Sequence, residues 1–207
     1  MSRRVVSIAA AAIAFGLLAA APRCEAAADP RVFVNQLGDQ GIETLGANIP
    51  PEQRLARFRE LFRTDFDVTG IGRFAIGRYW AALNPDQQQE FLHLYQEYTV
   101  QAYADKLGQY GGAQFQVTGA ENMGDETVVH SAVIRQNGAP VQMDWHVMQK
   151  DGGYKVTDVF VDRVSMKVTQ RDEFAKIIQN NGGQPAAILA VLRQQLHSEK
   201  APAPTTH

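Results

Sequence analysis

The stretch Gly152–Phe174, GGYKVTDVFVDRVSMKVTQRDEF, decides the fold. It opens on the turn Asp151-Gly152-Gly153. It runs on as a strand rich in β-branched and aromatic residues: Tyr154, Val156, Thr157, Val159, Phe160, Val161 and Val164. Near Ser165 the apolar period changes from two to about 3.6. Phe174, Ile177 and Ile178 then form a helical stripe. One continuous stretch thus joins a sheet to the helices that must cover it, and any apolar chamber lies between the two.

Upstream of it the chain reads as three more strands. Gln114–Thr118 is the first, and Asp125–Arg135 follows the turn at Asn122–Gly124. Asn137-Gly138 is a hairpin signal. Val141–Lys150 alternates cleanly, with Val141, Met143, Trp145 and Val147 on one face and Gln142, Asp144 and His146 on the other. Four strands joined by short turns predict an antiparallel meander.

Helices flank the meander. Asp29-Pro30 starts a helix carrying Phe33, Val34 and Leu37, which Gly38, Gly41 and Gly46 weaken. Ile49-Pro50-Pro51 starts a second, with Leu55, Phe58 and Phe62 on one face. Asp67 can cap a short helix bearing Val68, Ile71 and Phe74. Asn84-Pro85-Asp86-Gln87 is a capping box. The helix it opens runs to about Gly108, with Phe91, Leu94, Tyr95, Tyr98, Ala102 and Leu107 as its stripe and Gly111-Gly112 as its stop. After Asn180–Gly183, Pro185 begins a last helix. The expected class is α+β: a four-stranded antiparallel sheet covered by N- and C-terminal helices, with an apolar cavity between them.

The 207 residues are 45% hydrophobic, enough for one well-buried domain. The net charge of -2 argues against general nucleic-acid binding, which needs a basic field. Residues 1–28 read as a removed signal peptide. Arg3 and Arg4 form its positive start, Val5–Ala21 its apolar run, and Ala26-Ala27-Ala28 its cleavage region. The apolar run is short against the roughly 20 residues of a spanning helix, which disfavours an uncleaved anchor. Cleavage takes away three arginines and one glutamate, so the mature charge becomes more negative. It also removes Cys24, the one cysteine. Pro22-Arg23 before Cys24 does not suit lipidation. The mature chain then has no disulfide, thiolate nucleophile or cysteine metal site. The expected product is one domain over residues 29–197 with a disordered tail, 198–207, exported to the periplasm.

The search for chemistry is thin. The five histidines show no metal spacing; Asp144 and His146 share a strand face but read as solvated. Ser165 sits between strand and helix, yet Val164-Ser165-Met166 lacks the glycines of a nucleophile elbow and reads as an N-cap. Asp158, mid-strand, reads as a structural ion pair with Arg73 or Arg78, or else as a polar contact to a ligand head. What remains is an excess of aromatics with polar tips, Tyr95, Tyr98, Tyr103 and Trp145, which suits a chamber with an apolar body and a wet mouth.

From about Phe66 to Leu196 the chain resembles the MlaC family, also called the toluene-tolerance Ttg2 auxiliary proteins. The stretches that carry this begin with Ile76-Gly77-Arg78-Tyr79-Trp80, Pro85-Asp86-Gln87 with Phe91, and Ala102-Tyr103 through Leu107. They continue with Gly124-Asp125-Glu126-Thr127-Val128-Val129 and Pro140-Val141. The last is Gly153-Tyr154-Lys155-Val156-Thr157-Asp158-Val159 followed by Val164-Ser165-Met166 and Phe174.

The resemblance implies a periplasmic carrier of phospholipid between outer and inner membranes. Its partners would be an outer-membrane lipoprotein complex and an inner-membrane ABC transporter with MCE-domain subunits. It needs no cofactor; the bound lipid is cargo. Tyr103 and Val164 match family positions that line the cavity. Where the family commonly has arginine near the cavity mouth, this chain has Gln88, and Ala132 and Gln142 also replace arginines that some members carry. A hopanoid-type lipid, carried by a hopanoid-associated branch of the family, is therefore an alternative cargo. The residues expected to touch the lipid are Trp80, Gln88, Phe91, Tyr95, Tyr98, Tyr103, Met143, Trp145, Val164 and Phe174. The alternatives from other classes are an exported hydrolase using Ser165 or the Asp144/His146 pair, and an interaction module with a solid core.

Overall fold

The computed structural model describes residues 29–44, 49–107, 112–135 and 138–198. The expected leader with Cys24, Gly46, Gly108, Gly111, Asn137, residues 199–207 of the expected tail and the Leu107 side chain lie outside the described residues. The elements are α1 (Pro30–Thr44), α2 (Pro51–Asp65), α3 (Val68–Ile76), a 3₁₀ helix (Gly77–Ala82) and α4 (Pro85–Leu107). After them come β1 (Gln114–Met123), β2 (Glu126–Ile134), β3 (Val141–Lys150), β4 (Gly153–Val161), β5 (Val164–Ser165), α5 (Met166–Asn180) and α6 (Ala187–Ser198). No helix among the described residues is long and apolar enough to cross a membrane.

The caps form as their residues dictate. Asn84 and Gln87 exchange backbone-to-side-chain hydrogen bonds of 3.0 and 2.9 Å, a complete capping box. The Gly70 N–H donates to Asp67 Oδ1 at 3.1 Å, and a Cβ on Gly70 would meet that carboxyl at 2.2 Å. Ser165 caps α5 by accepting from the Val168 N–H at 3.1 Å.

The sheet is antiparallel in sequence order, but it has five strands where four were expected. Asp162 and Arg163 both adopt positive φ, 47° and 69°, and turn the chain back so that Val164 and Ser165 pair with Val161 and Phe160. Two residues are too short to show a period, so the reversal was read as the end of β4. Likewise β1 does not stop at Thr118. A bulge there shifts the register from Val117–Ser131 to Gly119–His130, and pairing continues to Met123. A second bulge at Thr157 lies between the Val147–Val156 and His146–Asp158 pairs.

Two hydrophobic clusters form. One is helical: Phe91, Phe174, Ile178, Ile188 and Leu192 are each 0% exposed within it. The other packs α1 on the sheet through Val34, Leu37, Val129, Trp145, Val147 and Val156. The chain between α2 and α3 ties the helices to the sheet. Phe66 makes a parallel bridge to Val156, and the Asp67 N–H donates to the Val156 carbonyl at 2.9 Å.

Candidate functional site

Between the helices and the inner face of the sheet lie two adjoining cavities of about 170 and about 450 Å³. They share six wall residues: Phe58, Tyr103, Met143, Trp145, Val161 and Met166. The smaller is closed by Phe62, Phe66, Ile71, Tyr95 and Val159. The larger extends under α1, past Leu37, Gly38, Gly41, Ile42, Phe115, Val133 and Val141. The strand alternation supplies the floor, because Val141, Met143 and Trp145 share one face. Phe58 and Phe62, one turn apart on α2, supply the roof together with Phe66 just past the helix end.

Glycine makes the larger cavity. At Gly38 the backbone of α1 lies so close to Phe115 that a Cβ would meet its ring at 2.2 Å. At Gly41, one helical turn on, a Cβ would meet nothing within 4 Å. The first glycine lets α1 settle on the sheet; the second leaves the chamber open.

The polar atoms in the walls are tied up. The Trp145 indole N–H donates to Ser131 Oγ at 2.9 Å. The Tyr95 hydroxyl donates to Gln170 Oε1 at 2.8 Å, and Gln170 Nε2 donates to Thr99 Oγ1 at 3.4 Å. Burial pushes the Tyr95 phenol up. Burial also raises the Tyr103 phenol, with Glu173 and Asp158 adding to the shift. Both phenols therefore stay neutral. The Tyr103 hydroxyl points at Met166 Sδ, 3.8 Å away.

Asp158 is 3% exposed and lines the smaller cavity, but no arginine partners it there. It accepts from the Ser165 hydroxyl, from the Lys167 N–H at 3.1 Å and from the Val159 N–H at 2.8 Å. This corrects the pairing expected with Arg73 or Arg78. Those guanidiniums lie over Trp80, at 5.2 Å, and over Tyr79, at 5.0 Å.

The expected site residues divide. Tyr95, Tyr103, Met143 and Trp145 line the cavities. Phe91 and Phe174 lie in the helical core, with ring centroids 6.0 Å apart and planes at 85°. Trp80 and Tyr98 pack against that core, and the Tyr98 hydroxyl donates to Glu173 at 2.8 Å. Gln88 Nε2 donates to the Trp80 and Leu83 carbonyls, at 3.1 and 3.2 Å. Val164 is 53% exposed and is not among the wall residues, because the β5 turn directs it outward. Sequence reasoning missed Phe58, Phe62, Phe66, Ile71, Met166 and the polar Thr99 and Gln170 as wall residues. The Phe58-Phe62 stripe was visible, but nothing in its period told wall from core.

The catalytic candidates stand apart from one another. Ser165 is committed to Asp158 and to the helix cap. On the outer face of the sheet Asp144 pairs with His130 at 2.7 Å, and His146 pairs with Glu126 at 3.1 Å. Among the described residues no group of three or more metal-ligating side chains converges.

Against known proteins, the family described as "MlaC protein" matches residues 37–194. The chain belongs to the MlaC family. Within that family's range, it is 25% identical over 163 residues to the intermembrane phospholipid transport system binding protein MlaC of Haemophilus influenzae, covering 74% of this chain and 76% of that one. It is 27% identical over 118 residues to the toluene tolerance protein ttg2D of Pseudomonas putida, covering 56% and 55%. A phospholipid-binding protein from Ralstonia solanacearum, solved in complex with a phospholipid, shares the fold. Its TM-score is 0.68 at 24% identity, over 82% of this chain and 99% of that one. The MlaC membership thus agrees with the resemblance read from the sequence motifs.

Proposed function

We propose that this chain is a non-catalytic lipid carrier whose cargo is a phospholipid, with one acyl chain in each of the two adjoining cavities. The observation that carries the proposal is the apolar double chamber itself, together with the names of the relatives, which are phospholipid-binding and transport proteins. Each methylene taken out of water contributes roughly 0.8 kcal/mol. A two-tailed lipid has about thirty methylenes, so crossing water unshielded costs on the order of 20 kcal/mol. A chamber walled by Phe58, Tyr103, Met143 and Trp145 offsets most of that without any reacting group.

On this reading the chain works in the periplasm as residues 29–207, with residues 29–197 as its lipid-binding domain, after loss of residues 1–28. It passes lipid between an outer-membrane lipoprotein complex and an inner-membrane MCE-domain ABC transporter. Two chambers meeting at a shared wall suit a two-tailed lipid better than a single fused-ring hopanoid. The test is mass spectrometry of organic extracts from residues 29–207 purified without detergent. One two-tailed phospholipid per chain is expected. A hopanoid would keep the carrier role and change the cargo, whereas a chain that neither retains nor takes up any lipid would end the reading.

A further inference from the structure

The cavity walls are nearly free of charge. Among the described lining residues of both chambers, the charged side chains are Asp158 and Lys167. Asp158 faces inward and is saturated by Ser165 and by backbone N–H groups. Lys167 is half-buried. Its ammonium lies 5.1 Å from the centroid of Phe74. The guanidinium of Arg171, one helical turn further along α5, lies 5.0 Å from the same centroid. Two like charges are thus gathered over one ring at the edge of an apolar chamber.

Little neutralises them. Among the described residues, Arg171 pairs with the carboxyl of Asp172, at 3.8 Å and itself mostly exposed. Glu126 feels the charge of Lys167 through space but bonds to Thr157 and His146. Glu173 accepts from Tyr98. The N-terminal amides of α5 are already taken by Asp158 and Ser165, so the helix end itself offers nothing further. Beside Phe74 a groove continues between Arg171 and Arg78, floored by Ile76 and Ala175. Gln88, where α4 begins, is neutral and turned into two backbone carbonyls. The cationic character of this rim therefore comes from α5.

We infer that Lys167 and Arg171, held over Phe74, form an anion site that takes the phosphate of a phosphodiester head group while the tails occupy the chambers. The inference rests on the carrier reading above, and deepens it by assigning the head group. A lysine in the wall and an arginine one turn outward reach a tethered phosphate from two sides, each with charge-assisted hydrogen bonds.

The test offers the protein an equal mixture of phosphatidylglycerol and a diacylglycerol with the same acyl chains, and counts each bound lipid by native mass spectrometry. The wild type should prefer the phospholipid by about tenfold or more, the equivalent of one charged hydrogen bond. The double variant K167Q/R171Q should fall to near parity, and circular dichroism of the same sample shows that it is folded. Lys167→Arg should keep the preference. The same competition in excess inorganic phosphate separates the sources. Loss of the preference marks a site that also takes free phosphate, and an unchanged preference marks one that needs the tethered head group. A double variant with the wild-type preference overturns the site and leaves the carrier intact. Failure to take up either lipid overturns the carrier reading instead.

Discussion

The helical cluster and the sheet-side cluster are built from the same residue types and do opposite things. In the helical cluster Phe174 meets both Phe91 and Tyr95 edge to face at centroid distances near 6 Å, Phe91 and Tyr95 stack on each other, and exposure is nearly zero. On the sheet side Trp145 and Phe115 meet edge to face at 5.9 Å, yet both also border empty space. Away from the smaller chamber, which Phe58, Phe62, Ile71 and Tyr95 border, the helical cluster fills its volume and gives the domain its stability. The sheet side stops short of filling and leaves an apolar chamber. The difference lies in what faces the rings: a second aromatic layer in one case, a glycine in the other.

The comparison is broken hardest by removing a ring from the filled side. Phe174→Ala should cost about 3–5 kcal/mol of folding stability, measured by urea denaturation. A loss below about 1 kcal/mol would mean that the helical side is as loosely packed as the cavity wall.

Filling the empty side is the complementary experiment. Gly41→Phe should leave the thermal midpoint unchanged or raised, because helical glycine is worth up to about 1 kcal/mol less than other residues. It should strip the bound two-tailed lipid or replace it with a single-tailed one, read by mass spectrometry. Gly38→Phe, three residues earlier, should fail to fold, because its Cβ already overlaps Phe115. Equal behaviour of the two variants would remove the distinction between a packing glycine and a chamber glycine.

A smaller effect is expected on the outer face of the sheet. Burial alone would raise the Glu126 carboxyl, but bonds from Thr157 and His146 and the charge of Lys167 hold it below the usual glutamate range. A depressed carboxyl stabilises the fold above its unfolded pKa, and that stabilisation is lost as pH falls through the folded value. Glu126→Gln should therefore remove less than about 1 kcal/mol near neutrality and nothing in strong acid. The thermal midpoints of variant and wild type should converge in acid, as pH falls through the depressed range of the folded carboxyl.

The smallest effect belongs to Val164→Glu. With Val164 more than half exposed, both stability and lipid content should match the wild type. Loss of lipid in that variant would return β5 to the chamber wall.

Much of this architecture was legible in the residues. The Asn84–Gln87 box, the Asp67 and Ser165 caps and the alternation of Val141, Met143 and Trp145 each have a local cause, and each formed as read. The features that escaped have non-local causes. Val164 reads from sequence as the end of the long strand and, by resemblance, as a cavity position, but two positive-φ residues before it reverse the chain. Phe91 and Tyr95 are four residues apart on one stripe, yet only Tyr95 reaches the chamber; Phe174 packs on both, and Phe91 is covered by Trp80 as well. Asp158 was expected to find an arginine, and a bulge one residue earlier carried it to the start of α5 instead. Periodicity assigns a residue to the inside, and only the partner across the gap decides whether the inside is full.

The short β5 and the Phe66–Val156 bridge together occupy the outer edge of β4. An uncovered strand edge is a template for pairing with another chain. On the proposed carrier reading, that risk recurs each time the chamber empties. With β4 sealed, the open edge is β1, which is bent by its bulge at Thr118 and carries a glutamate, Glu121, beyond it. The same two-residue strand that moved Val164 out of the chamber thus closes the β4 edge to pairing with a neighbouring chain.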